Sequence, residues 1–156
     1  MAFIFPAPGV ENVETTLAIR VSGDTSGLLI PAMQDITINN ANDVFTWTQL
    51  DEGSKLQIPT TATNSLDLNI VLDQTSFFGT GSGSDVAINK GIFGLSKDKL
   101  LVAFTLYLGD TSAGGAGKTM TGNAYITGLA PTVSADSPVW VSPVTLTVTG
   151  DYTVTP

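Results

Sequence analysis

The stretch "SAGGAGKT" at 112–119 comes nearest to a chemical site in this chain. A phosphate-binding loop needs G-x-x-x-x-G-K-[ST], and Gly117, Lys118 and Thr119 supply its end. The first glycine of that pattern falls on Ser112, and a helix must follow, so that its N-terminal amides face the phosphate. Thr119 onward ("TMTGNAYITG") reads as extended chain, so the run is better taken as a glycine-rich turn. Carboxylates are the next candidates. Asp51-Glu52 stands before Gly53, and Glu11 and Glu14 flank the first strand, but no D-x-[DN]-x-[DN]-G run makes a calcium loop. They read as solvated surface acids. Trp47 and Trp140 could form a sugar platform. Trp140, in line with Ser142, Val144, Leu146 and Val148, fits a core or subunit-contact position better, and Trp47, beside Phe45, is read the same way.

The residue inventory removes most remaining chemistry. There is no histidine, so the commonest general base and metal ligand is missing, and with it any Ser-His or Cys-His pair. There is no cysteine, so no disulfide framework or thiolate metal site can form. No catalytic, cofactor-binding or metal-ligating constellation remains, and the expectation is a protein that is not an enzyme and carries no cofactor. Charged residues are only 13% of the chain, against 42% hydrophobic, with a mean hydropathy of +0.26. That is about half the usual charged fraction, and it implies that much of the surface is covered, most simply by further copies. Fourteen acidic residues against six basic give a net charge of −8, which argues against a nucleic-acid binder but not against a protein that lets nucleic acid pass. "MAFIFPAPGV" lacks the basic start of a signal peptide, and no apolar run approaches the roughly 18 residues of a membrane helix.

The elements that must position these residues are mostly strands. Period-two patterns predict strands at 15–21, 35–39, 44–50, 66–72, 100–108, 122–129 and 139–148, with "NNAND" as a turn between the second and third. Lys55–Ile58 reads as a short extended piece stopped by Pro59. The stretch 23–62 is the least regular and reads as a long loop or hairpin, and 1–14 as an N-terminal arm. One short helix is expected at 84–96, capped by Ser84 or Asp85, with Gly91 and Gly94 each weakening it by roughly 1 kcal/mol. The fold class is therefore mainly β: a single-domain sandwich or partly open barrel of about seven or eight strands, with one flanking helix. "VTLTVTG" at 144–150 reads as an unprotected edge that another subunit should occupy.

The order of these elements carries a resemblance. A clean strand ("NSLDLNIVLD") leads to a short helix ("SDVAINKGIFGL"), a long strand ("LLVAFTLYLG") and a glycine-rich turn; "GNAYITGLAPTVSADSPVWVSPVTLTVTGDYTV" then closes the chain. Together with "VSGDTSGLLIPAMQDITINNANDVFTWTQLDEGSKLQIPTTATNSLDL" this resembles the tail tube (major tail) proteins of long-tailed bacteriophages over nearly the whole chain. The resemblance implies hexameric rings stacked into a tube in the virion tail and assembled in the host cytoplasm. It also implies contacts with baseplate or tip, terminator and tape-measure proteins, with a sheath as an option, while genomic DNA passes through without specific binding. Four strands per subunit would line the channel; 24 strands about 4.8 Å apart and tilted roughly 45° enclose a backbone diameter of about 50 Å.

For the channel wall the residues themselves suggest the polar faces of the best strands: Asp67, Asn69 and Asp73, and Thr145, Thr147 and Thr149. Six chains at −8 would give each ring a strongly acidic character that repels phosphate. The same faces could instead look outward. Two other readings stay open: the inner tube of a contractile injection system (type VI secretion or a tailocin), and a capsid decoration or carbohydrate-binding β-sandwich module with Trp47 exposed.

Overall fold

The computed structural model describes residues 15–22, 27–30, 33–51, 53–81, 83, 86–109 and 117–155. The chain is mainly β, as its period-two patterns predict. The strands are β1 (Thr16–Val21), β2 (Leu28–Leu29), β3 (Met33–Thr48), β4 (Lys55–Val71), β5 (Val102–Leu108), β6 (Lys118–Leu129), β7 (Thr132–Ser134) and β8 (Ser137–Thr155). They form one open antiparallel sheet in the order β2-β1-β5-β6-β8-β4-β3, with β7 paired to β8 beside this path. Between β4 and β5 lie two helices rather than one, α1 (Gln74–Phe78) and α2 (Ala87–Lys97).

Alternation sorts the side chains. Leu17 and Ile19 of β1, Leu66, Leu68 and Ile70 of β4, and Val102, Phe104 and Leu106 of β5 all point to one face. Met120, Ala124 and Ile126 of β6 join them, with Val144 and Leu146 of β8, in a single core that the helices complete with Phe77, Ala87, Ile92 and Leu95. Burying each large side chain of this set contributes about 1.5–3 kcal/mol. The opposite face of the sheet is left to the intervening polar residues.

Three sequence expectations are corrected by this arrangement. "VTLTVTG" is an edge only in part: Val144 to Thr147 lie between β4 and β6, with Thr145 opposite Asp67 on one side and Gly128 on the other, so there the chain supplies both partners itself, whereas Val148 and Thr149 pair with β6 alone among the described residues. "NNAND" does not turn. Asn39 to Asn42 continue the ladder of β3, because their partners Ser65 to Ala62 lie opposite in β4, and Asp43 falls in the bulge before Val44 resumes it. Pro59 does not stop a strand either. It sits opposite Val44 in β4, beyond the point where β4 leaves β8, and an open edge tolerates a residue without an N–H.

The helical region also differs in detail. Asp73 caps α1 by accepting the Ser76 amide at 3.0 Å, a short helix the period did not reveal. The N-cap of α2 is Val86, without a side-chain cap, and Ser84 and Asp85 lie outside the described residues. Gly91 is more than a weak helix former. At φ 67° it breaks α2 into two pieces, and its bare Cα packs against the backbone of Phe77 to Gly79, while Gly79 itself has φ 79°. Hydrogen bonds from Thr80 to Ile88 and from Gly81 to Asn89 fasten this crossing.

A methyl group at residue 91 would meet both a left-handed backbone and the Gly79 amide nitrogen. Gly91→Ala should therefore lower the unfolding free energy by about 2 kcal/mol or more in denaturant titration. Gly81→Ala, with positive φ but open space around it, should cost about 1 kcal/mol. Equal losses at the two positions would contradict the close crossing.

Candidate functional site

Three surfaces are left over once the core is formed. The first is the polar face of β3, β4, β8 and β6, where antiparallel register lines up side chains on neighbouring strands. Asn69 donates to both carboxylate oxygens of Asp35 at 3.0 Å across β4 and β3. Asp67 accepts from Asn39 of β3 on one side and from the Thr145 hydroxyl of β8, at 3.0 Å, on the other. Thr147 of β8 shares a hydrogen bond with Thr127 of β6 at 2.8 Å. Thr149 follows on the same face, opposite Asn123. Five of the six residues expected along a channel wall, Asp67, Asn69, Thr145, Thr147 and Thr149, thus fall on one continuous face. Asp73 stands apart at the end of β4, with its carboxylate committed to the α1 N-terminus. Sequence reading missed Asp35, Asn39 and Thr127, which complete the rows. Their signal was their place opposite Asn69, Ser65 and Thr145–Thr147, which only the register discloses.

The chemistry of this face is one-sided. The amide donors of Asn39 and Asn69 and the Thr145 hydroxyl are already spent on carboxylates. The four strands contain only two basic residues, Lys55 and Lys118, and each begins its strand. What the face offers outward is mainly acceptors and negative charge, a surface with little to hold a phosphate backbone.

The second surface is a ribbon. β4 pairs with β8 only from Ser65 to Val71, whereas its pairing with β3 continues out to Thr48 and Lys55. The distal parts of β3 and β4 therefore leave the sheet as a two-stranded arm. A bulge between Asn42 and Val44 marks it, where the Thr60 hydroxyl donates to the Asp43 carbonyl and the Thr61 hydroxyl to the Asp43 carboxylate. At the fork, Asn64 is only 7% exposed, and its side-chain oxygen has no partner among the described residues. Beyond it the arm carries Phe45 opposite Ile58 and Trp47 opposite Leu56 on one face, with the two aromatic rings stacked 5.9 Å apart. Phe45 is 57% exposed and Ile58 49%. Isolated two-stranded ribbons are marginal in water, and apolar faces on them are costly to leave wet. Trp47 is half-buried beside Phe45 and is not part of the core cluster among the described residues.

The third surface is an apolar cleft of about 530 Å³ at the opposite end of the sheet. It is lined by Leu72, Asp73, Gln74 and Phe78 together with Pro131, Pro138, Val139 and Trp140. Trp140 does share the core face of β8, as its spacing suggests, but it lies past the last core residue and is 51% exposed. The Leu72 amide donates to its carbonyl at 2.9 Å, which fixes the cleft floor. The phosphate-loop candidate fails on geometry: Lys118 and Thr119 open a strand, while 112–116 lie outside the described residues. Asp51 is exposed in the arm's turn, and Glu11, Glu14 and Glu52 lie outside the described residues.

Solved structures share the fold of this open sheet and its helices. No protein-family model and no curated protein matches the chain. The tail tube of SPP1 superposes with a TM-score of 0.67 at 11% identity, over 93% of this chain and 77% of that one. A chain from the virion of a gene transfer agent particle gives 0.63 at 13% identity, over 90% and 95%. A chain from the sheath/tube terminator of PVC, an extracellular contractile injection system, gives 0.58 at 17% identity, over 99% and 100%. At these identities the shared property is the fold, and it is the tail-tube fold.

Because the arm pairs with no further strand among the described residues, its aromatic face should matter to association and not to folding. The double variant Phe45→Ala with Trp47→Ala should keep its unfolding free energy within about 1 kcal/mol of the parent. In sedimentation velocity the same variant should lose at least tenfold in association constant. A folding loss of several kcal/mol would show that these rings belong to a core after all.

Proposed function

We propose that this chain is the structural subunit of a phage-type tail tube, a non-enzymatic protein that stacks as hexameric rings around an acidic channel for DNA ejection. The observation that carries the reading is the combination of the tail-tube fold with a polar face on four adjacent strands that holds carboxylates and no basic residue beyond Lys55 and Lys118 at the strand starts. In this reading those four strands join those of neighbouring subunits, the polar face turns inward, and DNA slides past carboxylates and satisfied amides. The arm reaches beyond its own ring and the helices lie outside. The assembled location is the virion tail, put together in the host cytoplasm, with terminator, baseplate or tip and tape-measure proteins as further contacts. A six-fold arrangement is supported by the gene transfer agent tail, whose structure was refined with C6 symmetry.

The inner tube of a contractile injection system is the second reading, favoured by the likeness to the PVC terminator. It keeps the same assembly and changes the cargo and the outer partner.

Concentrated protein should form hollow tubes in negative stain, and these should not retain a short DNA duplex at low salt. Tubes of Asp35→Lys with Asp67→Lys should retain it, and the retention should fall steeply as salt rises. Dispersed monomers at high concentration would overturn the tube reading, and variant tubes that still ignore DNA would overturn the acidic channel.

A further inference from the structure

The root of the arm holds a buried polar atom without a partner among the described residues. We propose that this atom, the side-chain oxygen of Asn64, accepts a hydrogen bond from an N–H of a second copy of this chain, and that the bond fixes the register in which copies dock on the arm. The proposal rests on the reading that copies associate through the arm, and it adds the residue that aligns them.

The first argument is an inversion of burial. Alternation along β4 puts Asn64 on the core face, in line with Leu66, Leu68 and Ile70, and Asn40 of β3 lies opposite it. Asn64 is only 7% exposed. The apolar residues around it are wet: Ile38, opposite Leu66, is 39% exposed, and Val44, just past the bulge, 51%. A chain shaped for its own folding alone would bury an apolar residue at 64 and keep polar ones at 38 and 44. A buried acceptor left unmade is costly, so it calls for a donor.

The second argument is position. Asn64 stands where β4 parts from β8, since their pairing begins at Ser65 and Thr147. From there outward neither backbone edge of the arm meets a further strand among the described residues. A second copy brings open strand edges of its own, so it can cover Ile38 and Val44, pair with an edge and reach the oxygen together. Apolar contact alone would not align it. A strand repeats every second residue, so a partner slipped by two keeps its apolar contacts. One buried polar group, whose bond forms in a single alignment, penalises the slipped ones, as a lone asparagine does in a coiled-coil seam.

Asn64→Leu removes the oxygen and puts a branched apolar group in its place. Its denaturant midpoint should equal or exceed the parent's, and it should still associate. Parent assemblies should show one axial repeat in electron micrographs and one stoichiometry in native mass spectrometry, and the Asn64→Leu assemblies several. Asn64→Asp, which keeps an accepting oxygen at that place, should return to one. A lowered midpoint in Asn64→Leu would mean that the oxygen is bonded within its own chain. Uniform Asn64→Leu assemblies would mean that it aligns nothing, and mixtures from both variants would give the alignment to packing volume. Each of these overturns the proposal and leaves the tube reading standing.

A second measurement finds the donor. In assemblies grown from equal parts of carbon-13-labelled and nitrogen-15-labelled chains, solid-state NMR should show a cross-peak between the Asn64 side-chain carbonyl carbon and a nitrogen, which arises only between copies. Contact with water alone would give the oxygen to a bound water and overturn the proposal. One stoichiometry for the parent and several for Asn64→Leu, in a protein that forms rings and never tubes, would keep the alignment and remove the tube. Parent monomers at every concentration would overturn both.

Discussion

Backbone amides and carbonyls must find partners, and this chain leaves a long row of them open. β3 pairs with β4 along its length, and its other edge, from Met33 to Thr48, faces no other strand among the described residues. β4 is open on the β8 side wherever it runs out into the arm, before Ser65. A soluble monomer normally blunts such edges with charge, bulges or short strands. Here the row is sixteen residues long and carries exposed Ile38, Val44 and Phe45. The low charge and the wet aromatic ribbon are consistent with those edges being filled by further copies.

The two faces of the sheet divide the work. One face is greasy, and the helices close over it through Phe77, Ile92 and Leu95, so each subunit has a core before it meets a neighbour. The other face is polar, and Asp35 and Asp67 take up the amides of Asn69 and Asn39 and the Thr145 hydroxyl. A wall of free asparagine amides and lysines would bind a polyanion at every step, whereas carboxylates with satisfied partners leave it weak and sliding contacts. In the proposed tube, the cross-strand register would be what keeps this face from holding DNA.

Alternation made the core strands legible: Leu66, Leu68 and Ile70, or Val102, Phe104 and Leu106, announce their buried face without any structure. Partner choice was not legible, because period two says which face is buried but not which strand lies alongside. "VTLTVTG" shows the difference. Its alternation was read correctly, and its neighbours were not, since both β4 and β6 come from distant parts of the same chain. The turn propensity of "NNAND" lost to the ladder with β4, an ordinary case of pairing overriding local preference. Asp35, Asn39 and Thr127 could not be picked from the sequence, because their part in the polar face is set by cross-strand register alone. Gly91 carried a signal that was misweighted: a glycine inside a helical pattern marked a backbone crossing, and its helix propensity was the lesser matter.

Which way the polar face looks is the centre of this account, and a helical reconstruction of assembled tubes by electron cryomicroscopy reads it directly. The account predicts a hollow tube with a lumen of roughly 40 Å once side chains are counted, lined by Asp67, Asn69, Thr145 and Thr147, with α1 and α2 on the outside. A tube whose lumen is lined by the helices, with those four residues on its outer surface, would contradict it.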